Sequence, residues 1–147
     1  MPRLLFVCLG NICRSPAADG IARAMVAHRE LDWTIDSAGT GGWHVGDAPD
    51  PRMVEAARRR NIDLSALRAR QATAEDFLNF DHVFAMDESN LANLERIRPS
   101  QATATLTLFL ADKNVPDPYY GGVGGFEHVL DLISDRMENL FKTLAKS

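Results

Sequence analysis

The stretch that decides the fold is RLLFVCLGNICRSP, residues 3–16. Residues 4–7 form a short apolar run, which predicts a buried β-strand. The pair Gly-Asn at 10–11 predicts a tight loop, since both residue types tolerate left-handed backbone. Ser15 and Pro16 then predict a helix, with Ser15 as its N-cap and Pro16 at its first position.

The same stretch places a cysteine and an arginine at opposite ends of the loop. Cys8 follows the strand and Arg14 precedes the helix, so the residues between them can curl with their N–H groups pointing inward. Such a nest fits a tetrahedral anion, and the N-terminus of the helix points at the same place. Nest amides, helix terminus and the Arg14 guanidinium together favour the thiolate, the reactive form of cysteine. These features predict an enzyme that handles phosphate.

Length and composition predict one domain in a reducing compartment. The chain has 147 residues and no evident linker, so we expect a single domain over 1–147. The net charge of −4 argues against non-specific nucleic-acid binding. The two cysteines both lie in the loop, which argues against a disulfide scaffold. The N-terminal apolar run is too short for a membrane span or signal peptide, so we expect a cytoplasmic protein without a membrane partner.

Strand and helix patterns alternate along the chain, which is typical of an α/β domain around a parallel sheet. Strands are predicted near 3–7, 33–37, 82–85 and 103–108, and helices near 16–29, 50–61, 73–79, 88–98 and 126–144. Asn61 is predicted to be a left-handed C-cap. Ligands of open parallel sheets bind beyond the carboxyl ends of the strands, and Cys8 lies at such an end.

Five segments together resemble the low-molecular-weight protein tyrosine phosphatases. They are FVCLGNICRSP at 6–16, DSAGTGGWHVGDAPDPR at 36–52, RARQ at 68–71, FDHVFAMDESNL at 80–91 and VPDPYYGG at 115–122. Their order is that of the family, and together they span nearly the whole chain. The resemblance implies a doubly wound domain, with a four-stranded parallel sheet flanked by helices on both faces.

The resemblance also implies the hydrolysis of phosphotyrosine and other aryl phosphate monoesters. Cys8 is the expected nucleophile, forming a phosphocysteine, while Arg14 and the loop amides bind the phosphoryl oxygens. The Ser15 hydroxyl is expected to steady the thiolate, a role compatible with capping the helix. Asp117 is the expected general acid and base. Its two flanking prolines stiffen the backbone as positioning requires, although Asp-Pro is equally a common turn pair. The expected partner is a phosphotyrosine-containing protein or a small aryl phosphate, bound by a monomer or weak homodimer without cofactor or metal.

Further residues are assigned to substrate binding. They are Leu9, Gly10, Asn11, Ile12, Cys13, Ser15, Trp43, Tyr119 and Tyr120. The aromatic members can wall a slot deep enough for a phenyl ring and too deep for phosphoserine. Taken singly, each aromatic is more often a packing residue.

The remaining assignments concern support and redox protection. The resemblance makes Ser37 the side-chain partner of Asn11, and it gives Asp87 a role that is either structural or chemical. Cys13 is predicted to form a reversible disulfide with the nucleophile on oxidation, a buried inert thiol being the alternative. Many relatives carry a histidine where Leu67 stands, so a hydrogen-bond network built on that imidazole is not expected here.

Three other functions are compatible with a phosphate-binding loop of this kind. Arsenate reductases share the loop and fold but pass electrons to further cysteines, and none follows Cys13. Protein-arginine phosphatases typically have threonine where Ile12 stands. A non-catalytic anion-binding module needs neither sulfur nor acid. The presence of Cys8, Arg14 and Asp117 together therefore argues against such a module. His44 is unassigned, because no histidine has metal-ligand spacing with a cysteine.

Overall fold

The computed structural model describes residues 2–118 and 123–145, a part of the chain that contains four strands and five helices. The strands are β1 (Arg3–Cys8), β2 (Thr34–Gly39), β3 (His82–Ala85) and β4 (Thr105–Leu108). The helices are α1 (Arg14–His28), α2 (Pro51–Arg58), α3 (Asp76–Asn79), α4 (Glu88–Ile97) and α5 (Val123–Ala145). Each element overlaps one predicted from the sequence.

The four strands form one parallel sheet in the order β2-β1-β3-β4. Residue Leu4 of β1 lies between Ile35 of β2 and His82 of β3. From β1 the chain first adds β2 on one side and then crosses to add β3 and β4 on the other side. The direction of winding therefore reverses between β1 and β3. Ligands of doubly wound sheets bind at the carboxyl end of such a reversal. Cys8 ends β1 at that point, and the segment after β3 lies beside it.

Helices cover both faces of the sheet, as predicted. Along β1, Leu4 and Phe6 pack with residues of α1, α2 and α5, whereas Leu5 and Val7 pack with residues of α3 and α4. The alternation follows from the pleat, which turns successive side chains to opposite faces. The ring of Phe6 stacks on Phe84 with centroids 5.6 Å apart. No helix in the described ranges is long and apolar enough to cross a membrane.

The start of α1 corrects one prediction. Ser15 is not the N-cap, because the helix begins at Arg14 and Cys13 stands at the cap without a side-chain hydrogen bond. The Ser15 hydroxyl instead contacts the sulfur of Cys8 at 3.0 Å, so it is committed to the loop rather than to the helix end. Pro16 accordingly lies third in the helix rather than first. It is tolerated there, since N–H groups of the first turn have no intrahelical partner.

Other local predictions are confirmed, with one exception. Asp50 caps α2 by accepting from the backbone N–H of Arg52 at 2.8 Å, and Asn61 has the left-handed φ of 64° predicted for it. Asn11 has φ 57°, but Gly10 is not left-handed. At Gly10 the requirement is space, because a Cβ there would lie 3.0 Å from a ring carbon of His44.

Candidate active site

The loop over 8–14 is anchored from outside through its carbonyl groups. The carbonyl of Leu9 accepts from the N–H of Gly41 at 2.9 Å, and that of Ile12 accepts from the N–H of Asp50 at 2.7 Å. Carbonyls that bond outward leave the amides of a tight loop for its inner side. The bonds from Gly41 and Asp50 therefore help to hold the loop in the concave shape of an anion site.

Gly39 allows the end of β2 to lie against this loop. A Cβ at this position would be 2.8 Å from the carbonyl oxygen of Leu9, closer than real Cβ contacts come. The glycine N–H donates to the carbonyl of Arg70 at 2.8 Å, and its own carbonyl accepts from the N–H of Ala72 at 2.8 Å. The segment around Arg70 is thereby held directly behind the loop.

Cys8 lies on the floor of a cavity of about 250 Å³. Its side chain is deeply set, with only 3% of the residue exposed. The sulfur accepts from the N–H of Asn11 at 3.3 Å and lies 3.0 Å from the hydroxyl of Ser15. Hydrogen bonds of this kind favour an anionic sulfur, because they stabilise the charged form.

Arg14 lines the same cavity and is held by two acceptors. Its Nη1 donates to Asp87 at 2.8 Å and to the carbonyl of Val115 at 3.0 Å. The other carboxylate oxygen of Asp87 accepts from the N–H of Asn90 at 2.8 Å and so caps α4. Asp87 is therefore both a structural cap and the residue that fixes the guanidinium.

Asn11 ties the loop to β2 and to the segment behind it. Its Nδ2 donates to the hydroxyls of Ser15 at 2.9 Å and Ser37 at 3.1 Å, and its Oδ1 accepts from the N–H of Arg70 at 3.0 Å. All the polar atoms of this buried side chain are used. The amide therefore maintains the left-handed turn that carries the loop past the sulfur.

The structure brings most of the predicted residues to one cavity. Its lining consists of Cys8, Leu9, Gly10, Ile12, Cys13, Arg14, Trp43, His44 and Asp117. Trp43 is 74% exposed, which places its ring at the mouth. Asn11 and Ser15 lie behind the loop instead of on the cavity wall. Tyr119 and Tyr120 fall outside the described residues.

Sequence reasoning did not assign His44, which lines the cavity beside Gly10. Its Nδ1 lies 3.1 Å from a carboxylate oxygen of Asp47. The available signal was its position after Trp43, in a loop predicted to reach the substrate. A single histidine without a ligand partner carries too little information to be placed by sequence alone.

Cys13 differs from Cys8 in its surroundings. The residue is 5% exposed and packs with the apolar side chains between the sheet and α1. Burial raises the pKa of the Cys13 thiol, so this sulfur is held in its neutral form. The two cysteines of one loop are therefore chemically unequal.

A larger cavity, of about 480 Å³, lies between α2 and α5. Its lining is Pro51, Arg52, Glu55, Ala56, Arg59, Phe126 and Glu127. Neither a thiol nor a hydroxyl lines it. Among residues 2–118 and 123–145, no cluster of histidine, cysteine and carboxylate side chains is suited to a metal ion.

Comparison with known proteins identifies the family of the chain. The family model of the low molecular weight phosphotyrosine protein phosphatases matches residues 3–147. The phosphatase of that name from Schizosaccharomyces pombe is 45% identical, over 97% of each chain.

Solved structures agree in fold. A protein tyrosine phosphatase from Entamoeba histolytica superimposes with a TM-score of 0.92 and 38% identity, over 99% of this chain and 98% of the other. An arginine phosphatase from Drosophila superimposes with a TM-score of 0.91 and 34% identity, over 98% of both chains. With the family model and the fold in agreement over almost the full length, this chain belongs to the low molecular weight phosphotyrosine protein phosphatase family.

Proposed function

We propose that the protein hydrolyses phosphotyrosine and other aryl phosphate monoesters through a phosphocysteine intermediate. The observation that supports this proposal is the convergence of a thiol, a guanidinium and a carboxylate on one narrow cavity. These groups belong to Cys8, Arg14 and Asp117. Nucleophile, charge stabiliser and proton donor are the three parts that phosphate-monoester hydrolysis requires.

In the first step the Cys8 thiolate attacks phosphorus in line with the ester bond. The sulfur–phosphorus bond forms as the phosphorus–oxygen bond breaks, and Asp117 gives its proton to the departing phenolate. Arg14 stabilises the equatorial oxygens through a bidentate fork, and the loop amides bind the remaining one. In the second step water attacks phosphorus and gives a proton to Asp117, and the thiolate leaves as phosphate is released.

The hydrogen bonds around the sulfur support both steps. Ser15 and the N–H of Asn11 lie within bonding distance of Cys8, so they stabilise the thiolate before attack and again as it leaves the intermediate. Asp87 holds Nη1 of Arg14 and thereby sets the plane of the guanidinium. A lysine would not replace this arginine, because an ammonium lacks the planar fork.

The depth of the cavity supports an aryl substrate. The sulfur lies at a residue that is 3% exposed, whereas the Trp43 ring at the mouth is 74% exposed. Leu9 and Ile12 supply apolar wall between them. A phenyl ring spans such a slot, whereas the short side chain of phosphoserine does not. Tyr119 and Tyr120 are proposed as further walls.

The direct test offers phosphotyrosine, phosphoserine and phosphoarginine, each in one peptide sequence, to the purified protein. We expect phosphotyrosine to be hydrolysed with the highest kcat/KM, and we expect the rate to persist in a metal chelator. Arsenate added with a thiol reductant serves as the fourth substrate. Preferred hydrolysis of phosphoarginine, or reduction of arsenate at a comparable rate, would contradict the proposal.

Ile12 is expected to set the preference for phosphotyrosine over phosphoarginine. Ile12→Thr makes the wall smaller and more polar, so the ratio of the two kcat/KM values should fall by about tenfold, the effect typical of small changes in an apolar pocket. The control is Val45→Thr, which makes the same kind of change at an exposed position outside the cavity. An unchanged ratio in Ile12→Thr would remove this residue from the specificity argument.

We also propose that Cys13 protects the nucleophile from irreversible oxidation. Peroxide converts the Cys8 thiolate to a sulfenic acid, and attack by the Cys13 sulfur then forms the disulfide and releases water. A thiol reductant reverses the bond by exchange. The raised pKa of the Cys13 thiol leaves Cys8 as the first sulfur to react with peroxide.

The corresponding measurement is recovery of activity after brief peroxide treatment followed by dithiothreitol. Wild-type protein should regain most of its initial activity. In Cys13→Ser the sulfenic acid has no sulfur partner and proceeds to sulfinic acid, so recovery should fall several-fold relative to that variant's own starting activity. Equal recovery in the two proteins would exclude the protective role.

The remaining expectations complete the proposal. They are a single domain over 1–147, a monomer or weak homodimer, a cytoplasmic location and a phosphotyrosine-containing protein as the natural partner. The strand and helix elements share one sheet with a core on each face, which supports the first of them.

A further inference from the structure

A buried carboxylate lies at the far end of the hydrogen bonds that begin at Cys8. Asp19 is 1% exposed and lies on α1. One of its oxygens accepts from the hydroxyl of Ser37 at 2.8 Å, and the other accepts from Nε of Arg23. The catalytic steps proposed above make no use of this residue. Burying a carboxylate is costly unless it is paired, so its presence calls for a physical reason.

The backbone fixes the orientation of one group in this series of hydrogen bonds, the side-chain amide of Asn11. The backbone N–H of Arg70 can only donate, so the Asn11 atom that faces it must be Oδ1. The amide nitrogen of Asn11 therefore faces both Ser37 and Ser15 and donates to each.

The hydroxyl hydrogens follow from that assignment. Ser37 accepts from Asn11, so its own hydrogen is given to Asp19. Ser15 likewise accepts from Asn11, and its hydrogen points either to the sulfur of Cys8 at 3.0 Å or to the carbonyl of Ala38 at 3.4 Å. The sulfur is nearer, and as a thiolate it is the charged acceptor, so the Ser15 hydrogen bonds to it.

Both groups that contact Asp19 are donors. A carboxylate satisfies Arg23 and Ser37 together because each of its oxygens accepts. An asparagine that turned its oxygen to Arg23 would turn its NH₂ group to Ser37, and the hydrogen of the Ser37 hydroxyl would then lose the acceptor that Asp19 provides. Of these two side chains, only the carboxylate accepts from Arg23 and from Ser37 at the same time.

We propose that Asp19 is a positioning residue for the nucleophile, acting through Ser37, Asn11 and Ser15. By taking the Ser37 hydrogen it leaves that hydroxyl free to accept from Asn11. The amide is thereby held where its second N–H reaches Ser15, and the Ser15 hydrogen is directed to Cys8.

Several charged groups surround the carboxylate. Arg23 faces it from α1, and Asp36 of β2 lies near enough to oppose its ionisation. Arg23 also reaches Asp36 at 3.9 Å, and Arg70 bonds Asp36 from the segment behind the loop. Burial raises the pKa of the Asp19 carboxyl, so protonation disrupts this arrangement at a higher pH than an exposed aspartate would allow.

The test is the rate at which iodoacetate alkylates Cys8, followed by mass spectrometry of the peptide that contains it. We expect Asp19→Asn to slow this reaction about tenfold at neutral pH, the effect of losing one hydrogen bond to a charged group. The difference should close at alkaline pH, where the thiolate forms without assistance. The role of Asp19 rests on the proposed function, in which Cys8 is the nucleophile. Alkylation requires no turnover, however, so this test can fail while the phosphatase mechanism holds, and the reverse.

A control variant and a double mutant test whether Asp19 acts on Cys8 through Ser37. Asp32→Asn makes the same change at an exposed position between α1 and β2 and leaves both bonds of Asp19 intact, so its alkylation rate should match wild type. Ser37→Ala should show the same deficit as Asp19→Asn, and adding Asp19→Asn to it should have no further effect.

Three results would overturn the proposal. They are wild-type alkylation in Asp19→Asn, additive effects of the two substitutions, or a deficit that persists at alkaline pH. Should Asp19→Asn fail to fold, Ser37→Ala alone decides, because wild-type alkylation in that variant contradicts the proposed route.

Discussion

Replacing Cys8 by serine should abolish turnover of both p-nitrophenyl phosphate and phosphotyrosine peptides. The hydroxyl of serine is a far weaker acid than a thiol, and the loop cannot ionise it as it does sulfur. No phosphoenzyme then forms, so the first step stops. Steady-state release of phosphate, followed by acid-quench detection of the phosphoenzyme in wild type and variant, measures both consequences.

The same variant separates catalysis from simple anion binding. The loop amides and Arg14 remain in Cys8→Ser, so inorganic phosphate should bind with an affinity near that of wild type by calorimetry. Lost turnover with retained binding is the expected pair of results. Wild-type turnover in Cys8→Ser would show that Cys8 is not the nucleophile and would contradict the proposed mechanism.

Replacing Asp117 by alanine should lower kcat by roughly 10²- to 10⁴-fold, as is typical when a general acid is lost. Asp117 lines the cavity that contains Cys8 and Arg14, as a donor to the leaving oxygen must. The loss should depend on the leaving group. Phenyl phosphate, whose phenolate needs the proton, should lose more than p-nitrophenyl phosphate, whose leaving group is stable as an anion.

The matched control is Asp112→Ala, which removes an exposed carboxylate a few residues earlier in the same connection. Its kcat and its dependence on the leaving group should both equal those of wild type. An equal loss for the two aryl phosphates in Asp117→Ala would mean that this aspartate shapes the loop and does not donate the proton.

The sequence alone was sufficient to predict the parallel sheet and the loop that carries Cys8 and Arg14. Residues 3–16 combine an apolar strand, a tight loop and a helix in unbroken order, so the placement of Cys8 and Arg14 depends on local chain geometry. The strand patterns near β3 and β4 are similarly local. Such features are predictable because each is decided by a few neighbouring residues.

Contacts between distant segments could not be predicted in the same way. The N-cap assignment of Ser15 was wrong for a local reason, because its hydroxyl contacts the sulfur of Cys8 in the same loop and the helix begins one residue earlier. Asp19 was missed because nothing in the sequence shows that its side of α1 meets Ser37 on β2. His44 was left unassigned for the same reason, since only the folded loop brings it beside Gly10.

The position of Leu67 shows how an absent imidazole is accommodated. The side chain is partly buried and packs against the apolar core beside α1, so it contributes no polar group. The amide oxygen of Asn11 is satisfied by the backbone of Arg70, and the hydroxyl of Ser37 by Asp19. Within the described chain, these polar groups are thus satisfied without a histidine.

Asp87 gives one carboxylate two duties, capping α4 and holding Arg14. Helix ends are among the first parts of a protein to open when it is warmed, well before the whole structure melts. Each opening at this end deprives the guanidinium of one of its two acceptors and leaves only the carbonyl of Val115. Loss of activity on heating should therefore precede global unfolding, which parallel measurements of residual activity and circular dichroism against temperature would show.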